Sequence, residues 1–224
     1  HEIIYSSGGG QSYPTSIKLE DLHIRDNLDT GLRFSGKGLF VLRNSIISNN
    51  IGSSGGGGMY LSSYTGADLM PIIENVLIHN NTANAGAAVI VRNSTEPFTL
   101  KNVTITENTP THDNAGSIQC NSCDLNLVNS IVWGNSGNEI VFDGSNQPGN
   151  ISVSFSDIEG GWEGTGNINK NPLFCGSGNG DFTIAANSPC LGTGIDSSDM
   201  GALEEGCEAI ILIYGCTDLG ATNY

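Results

Sequence analysis

Cations are scarce in this chain. Eight Lys and Arg stand against 23 Asp and Glu, for a formal net charge of -15 over 224 residues. The eight are scattered, which excludes the basic groove that a nucleic acid needs. It also disfavours anionic membranes and polyanionic sugars as partners. Charged residues make up only 14% of the chain, so the Glu/Lys-rich faces of surface helices are missing. No amphipathic helix with caps and adequate length can be traced. The longest apolar run, Ala209-Ile-Ile-Leu-Ile-Tyr214, is too short to span a bilayer. No Asp-x-Asp-x-Asp-Gly loop or Gly-Gly-x-Gly-x-Asp series exists to hold calcium, and no Cys/His set to hold zinc. The Gly55–Gly58 run is not followed by Lys-Ser/Thr or a helix, so it reads as a turn and not as a phosphate loop. No cofactor or metal is expected.

What the chain does have is a repeat. It reads Leu19-Glu-Asp-Leu-His-Ile24-Arg-Asp-Asn27, then returns at Leu42–Asn50, Ile73–Asn81, Leu100–Asn108 and Leu127–Asn135, with a worn copy at Val153–Gly161. The closing position recurs at steps of 23, 31, 27, 27 and 26 residues, a spacing that marks a stacked solenoid.

The spacing inside one repeat predicts the path of the coil. Two residues before each opening apolar position stands another residue of one column: Ile17, Phe40, Pro71, Phe98, Leu125 and Ile151. A spacing of two puts both on one face of a strand. The next inward column, Ile24, Ile47, Ile78, Ile105, Val132 and Ile158, lies five residues on from the first. Five is odd, so a flat strand would send the two columns to opposite faces, and the chain must bend between them. The column Asp21, Asn44, Asn75, Asn102, Asn129, Phe155 is the natural corner, because Asn tolerates turn dihedrals. Stacked coils then align the Asn side chains as a hydrogen-bonded ladder. A third strand follows, often after Gly, at Gly31–Phe34, Gly58–Leu61, Gly86–Val91, Gly116–Cys120 and Glu139–Phe142. The predicted fold is all-β: a triangular parallel β-helix with three short strands per coil and Asn-rich turns.

Six Cys and abundant Asn suggest an oxidising, extracellular setting. Beyond Asp157 the text changes to Asn171-Pro-Leu-Phe174, Gly180-Asp-Phe182, Ser188-Pro-Cys190 and Gly201-Ala-Leu-Glu204. In combination with the repeats this resembles right-handed parallel β-helix repeat proteins of bacterial surfaces, the choice-of-anchor Q proteins and relatives of the polymorphic outer membrane proteins. Gly215-Cys-Thr-Asp-Leu-Gly-Ala-Thr-Asn-Tyr224 resembles the start of a short Cys-containing module of secreted Bacteroidota proteins, with Leu219 where that module has Pro. The resemblance implies a right-handed helix, a place outside the cell or on its surface, and export by a type IX route. Residues 1–206 are expected to be the β-helix with a C-terminal cap over about 156–206. Residues 207–224 are expected to be a linker and the start of a further module, so the chain reads as a piece of a longer secreted protein. The cap is expected to plug the last coil with Leu173, Phe174, Phe182 and Ile184. A Cys175–Cys190 disulfide would staple it, closing a loop of about 15 residues worth roughly 3 kcal/mol. Cys207 is the expected partner of Cys216, and Cys120 and Cys123 read as a local disulfide or as a core Cys120.

Catalysis finds little support. The outward columns of the second strand are Arg25, Ser48, His79, Thr106, Trp133, Glu159 and His23, Ile46, Leu77, Thr104, Ile131, Asp157. Neither column holds the paired carboxylates of a glycosidase or a Lys/Arg set for uronate chemistry. Ile46, Leu77, Ile131 and Trp133, with His79 beside them, form an aligned apolar stripe. It reads either as a surface covered by other parts of the protein or as a ligand-binding strip. The expectation is a non-enzymatic stalk, adhesin or passenger region of an exported protein, with a carbohydrate-binding or polysaccharide-degrading β-helix as the alternative. A glycan, a cell-surface protein and the secretion or anchoring machinery are its expected partners.

Overall fold

The structure, a computed structural model, describes residues 3–6, 16–36, 38–53, 55–63, 69–93, 97–143 and 150–211. Its body is three parallel sheets wound by one repeating coil. Sheet A has six strands: Ile3–Ser6, Leu32–Gly36, Met59–Ser63, Val89–Arg92, Gly116–Asn121 and Asn138–Asp143. Sheet B runs through Ile17–Glu20, Gly38–Ser48, Leu69–His79, Phe98–Thr106, Leu125–Val128 and Ile151–Ser154. Sheet C is three two-residue strands, Ile51–Gly52, Thr82–Ala83 and Thr109–Pro110. No α-helix occurs among the described residues.

The corner falls where the odd step requires it. Asp21, Asn44, Asn75, Asn102, Asn129 and Phe155 all have φ between 48 and 57°. That left-handed turn lets Leu42 and Ile47, five residues apart, both point inward and be fully buried. Ladder pairing continues across the corner, so the first and second strands of a coil merge, as in Gly38–Ser48. Amide hydrogen bonds link the corner Asn residues from coil to coil: Asn75 Nδ2 to Asn44 Oδ1 at 3.2 Å, Asn102 to Asn75 at 3.1 Å, and Asn129 to Asn102 at 2.8 Å.

A second corner lies immediately before the closing Asn. Asp26, Asn49, Asn80, Glu107, Gly134 and Gly160 all have positive φ. The closing residues Asn27, Asn50, Asn81 and Asn108 then turn inward and are buried. They form a second ladder inside the body, in which each Asn Oδ1 accepts from both the backbone and the side-chain nitrogen of the coil before. Asn50 N and Nδ2 meet Asn81 Oδ1 at 3.0 and 2.8 Å, and Asn81 N and Nδ2 meet Asn108 Oδ1, both at 3.0 Å. This ladder leaves no room opposite it. A Cβ at Gly31 would sit 2.7 Å from Asn50 Nδ2, and one at Gly58 would sit 2.6 Å from the Ala88 carbonyl oxygen. The equivalent position becomes Ala88, Ser117 and finally Glu139 in later coils.

Apolar side chains fill the body from end to end, with the Phe34 and Phe40 rings in tilted contact at 4.7 Å between centres. At roughly 1.5–3 kcal/mol per buried side chain, this core is the main stabilising term. Residues 159–169, not the predicted Leu173, Phe174, Phe182 and Ile184, close the last coil. Trp162 packs onto the core there. Asn167 completes the closure, accepting from Ser156 N at 3.1 Å and donating to the Val153 and Trp162 carbonyls at 3.0 and 3.1 Å.

The C-terminal cap is stapled by a disulfide as expected, but through different cysteines and in a different place. Cys175 joins Cys207 in a small sheet of Phe174–Gly176, Asp181–Ala185 and Glu205–Cys207. Cys190 is a buried free thiol, so the Cys175–Cys190 pairing is wrong. With Cys207 taken, the Cys207–Cys216 pairing falls too; Cys216 itself lies outside the described residues. Cys120 and Cys123 are joined to each other. The cap lies along the flank of sheet B: Phe182 packs on His79 at 4.9 Å between ring centres, and Ala202 N donates to Thr104 Oγ1 at 2.9 Å. Near the last coil, the Cys190 thiol donates to Asp157 Oδ2 at 3.2 Å.

Candidate functional site

The apolar stripe is the surface that the cap covers. Ile131 and Leu77 are buried, and Ile131 forms a second small core with Ile184, Cys190 and Met200. Trp133 packs beside that core, half-buried, and His79 is half-buried under Phe182. Burial, and then the neighbouring His23, hold the His79 imidazole below its ordinary pKa. Ile46 lines what remains, an open groove of about 530 Å³ between sheet B and Ser198–Glu204. The cap thus covers Leu77 and Ile131, while Ile46, His79 and Trp133 stay half-buried.

Two carboxyls stand well above their ordinary range, and both are tied into the scaffold. Burial pushes Glu139 up to about 7, opposed by hydrogen bonds from Asn135. Asn135 Nδ2 donates to Glu139 Oε2 at 2.6 Å, so this carboxyl terminates the buried Asn ladder. Burial likewise pushes Asp157 up to about 6, opposed by the Lys170 backbone N–H and the Cys190 thiol. Asp157 Oδ1 accepts from Lys170 N at 3.0 Å and so fixes the turn out of the last coil. Among the described residues no three His, Cys, Asp or Glu side chains converge as a metal site would require.

The outer face of sheet A gathers guanidinium, phenol and amide groups. Strand alternation sends Leu32 and Phe34, Met59 and Leu61, Val89 and Val91, and Ile118 and Cys120 into the core. The intervening residues form two outward rows along the axis. One is Arg33, Tyr60, Ile90, Gln119, Val141; the other is Ser35, Ser62, Arg92, Asn121. Ile90 is covered by the Gly55–Gly56 turn, whose close approach excludes larger residues: a Cβ at Gly56 would meet Ile90 at 2.9 Å. Tyr60 gathers two of the chain's eight cations, with the Arg33 guanidinium 4.3 Å and the Arg92 guanidinium 5.5 Å from its ring centre. Such cation–π contacts hold both groups in place. Four other cations, Lys18, Arg25, Arg43 and Lys101, pair instead with acids elsewhere on the surface.

Among the described residues, Arg92 Nε, Ser117 Oγ, Gln119 Oε1 and Asn121 Oδ1 are shielded from solvent without a hydrogen bond. A recess of about 320 Å³ opens beside Gln119, edged by His112, Asp113, Asn114, Val141 and Phe142. The sequence reading missed this face because it read the third strand only for its inward residues. The signal available was the set alternating with the inward residues, Arg33, Tyr60, Arg92, Gln119 and Asn121.

These features define a class: a parallel β-helix with a capped flank and a polar, aromatic outer face. The family of the right handed beta helix region matches residues 3–188, and the chain belongs to it. No curated protein and no solved structure matches the chain. No helix among the described residues is long and apolar enough to cross a membrane.

Proposed function

We propose that this β-helix is the adhesive, non-catalytic part of an exported surface protein, and that it holds a glycan on the outer face of sheet A. The observation that carries the reading is the set of guanidinium, phenol and amide groups on that face, from Arg33, Tyr60, Arg92, Gln119 and Asn121. The fold offers a long rigid surface for such contacts. Its two disulfides suit an oxidising compartment, and the resemblance to choice-of-anchor Q and Bacteroidota surface proteins supports export, by a type IX route among others. The non-catalytic reading is supported by where the raised carboxyls are, since both are bound into the scaffold.

A glycan array tests the reading. The protein is expected to bind at least one surface polysaccharide, with loss of binding in Arg92→Ala and retention in Lys101→Ala, which lies on sheet B. A reducing-end assay on the bound glycan is expected to detect no new ends. New ends that vanish with a substitution on this face would instead make the protein a polysaccharide-degrading enzyme.

A further inference from the structure

We propose that the seam between the cap and sheet B holds a second site, a pocket walled by Trp133 and Phe174 that takes an organic ammonium ion. It stands apart from the glycan-binding reading and uses none of the sheet A residues. The pocket is a recess of about 320 Å³, at the small end of ligand sites. Its shape follows from the outward row His79, Thr106, Trp133, partnered residues on three adjacent strands. Phe182 of the cap covers His79 and meets Phe174 edge-on, with 5.5 Å between the two phenyl centres. Thr106 is the smallest side chain of the row, and the recess opens over it with Trp133 and Phe174 both on its wall. Leu173 reaches the same wall at a backbone φ of 56°, rare for a bulky residue, and its N–H donates to Asn171 Oδ1 at 2.9 Å. The docked cap therefore builds this pocket at its own edge.

Charge selects the ligand. Trp and Phe rings attract cations to their faces. Glu107 lines the recess, and Glu159 reaches its rim, where Oε2 accepts from Gly134 N at 2.7 Å. Among the described residues neither Glu makes an ion pair. Lys18, Arg25, Arg43 and Lys101 pair with other acids, Arg33 and Arg92 lie on Tyr60, and the charge of Lys170 acts on Asp157. His79, in the same row, is held below its ordinary pKa by burial and adds no cation at neutral pH. The chain's net charge of -15 draws cations at longer range. A bare metal ion is a poor fit, since it needs several oxygen ligands and no three acid, His or Cys side chains converge among the described residues. An organic ammonium ion meets both features, its alkyl groups the rings and its charge the rings and Glu107.

The test is a titration of the labelled, folded protein, followed by the indole N–H signals of its two Trp, Trp133 and Trp162. Trp133→Phe assigns the signals. The probes are choline and N-acetyl-lysine amide, each beside an uncharged counterpart: the choline isostere with carbon in place of nitrogen, and the lysine compound acetylated on its side chain. At least one ammonium probe should move the Trp133 signal to saturation and leave the Trp162 signal in place. Its uncharged counterpart should bind at least tenfold more weakly. Glu107→Gln should weaken the ammonium probe threefold or more, and Lys101→Ala should leave it unchanged; thermal unfolding confirms that both variants are folded. Tighter binding of choline supports the site with a small-molecule source, and tighter binding of the lysine compound supports it with a protein side chain as source. Equal binding of charged and uncharged probes overturns the proposal, as does ammonium binding indifferent to Glu107→Gln, or a Trp133 signal that neither ammonium probe moves. The glycan array reads sheet A alone, so failure there leaves this site standing.

Discussion

Asn81→Ala should be among the most damaging single substitutions in the protein. Asn81 is fully buried at the middle of the inner ladder. Its Oδ1 accepts from Asn50 N and Nδ2, and its Nδ2 reaches the Ile47 and His79 carbonyls and Asn108 Oδ1, all between 2.8 and 3.0 Å. Alanine removes all five bonds and leaves their partners sealed from water. Each buried group left unmet costs about 1–3 kcal/mol. Even with partial relaxation, a loss of about 4 kcal/mol is expected. Asn75→Gly, in the outer ladder, provides the contrast. Asn75 makes one bond to each neighbour, at 3.2 and 3.1 Å, is only half-buried, and sits at φ 57°, which glycine adopts freely. Its cost should be about 1 kcal/mol, since water replaces the lost bonds. Urea unfolding followed by far-ultraviolet circular dichroism measures both. Equal costs for the two variants, or a smaller cost for Asn81→Ala, would refute the assignment of the inner ladder as the main polar support.

Other predictions concern pH, the cap and close packing. Glu139 holds its proton more tightly folded than unfolded, so the fold loses stability as pH rises from its ordinary value of 4.5 through about 7. Glu139→Gln keeps an acceptor for Asn135 and should flatten that fall, which is at most about 3 kcal/mol. Melting temperatures at pH 5 and pH 8 test this, and an identical fall in both proteins would count against it. Cys175→Ser opens a 32-residue loop, should cost about 3–4 kcal/mol, and should loosen the cap from the flank. Binding of a hydrophobic dye to the uncovered Leu77 and Ile131 reads that loosening, and no gain in dye binding would contradict it. Gly31→Ala places a methyl 2.7 Å from Asn50 Nδ2 and should cost about 1–3 kcal/mol in urea unfolding; a neutral result would show that the ladder has slack.

The coil was legible in the sequence because each constraint on it recurs in every repeat. The period-2 pairs, the five-residue step and the Asn columns each specify one feature, and all three were found. The inner ladder was half legible: the closing Asn was seen as a repeat mark, but its inward turn depends on the positive φ of the residue before, which Asp26, Asn49 and Glu107 do not announce as glycine would. The two ends were not legible. Trp162 occurs once, in a segment with no repeat to compare, so its role as the end plug had no pattern behind it. Cysteine spacing permits several pairings, and only the folded path brings Cys175 to Cys207 and leaves Cys190 against Asp157. The apolar stripe was itself a signal for the cap, since an aligned row such as Leu77 and Ile131 is a surface that its own chain can bury.

The central claim is that ligand is held by sheet A while the flank of sheet B stays closed beneath the cap. Amide chemical-shift mapping of the labelled protein, titrated with the saccharide that binds it, tests this most directly. Shifts are expected to concentrate at Arg92, Gln119 and Asn121 and their strand neighbours, with His79, Leu77 and Ile131 unmoved. Shifts concentrated at His79, Ile131 and Trp133, with sheet A silent, would contradict the account and return the binding function to the stripe.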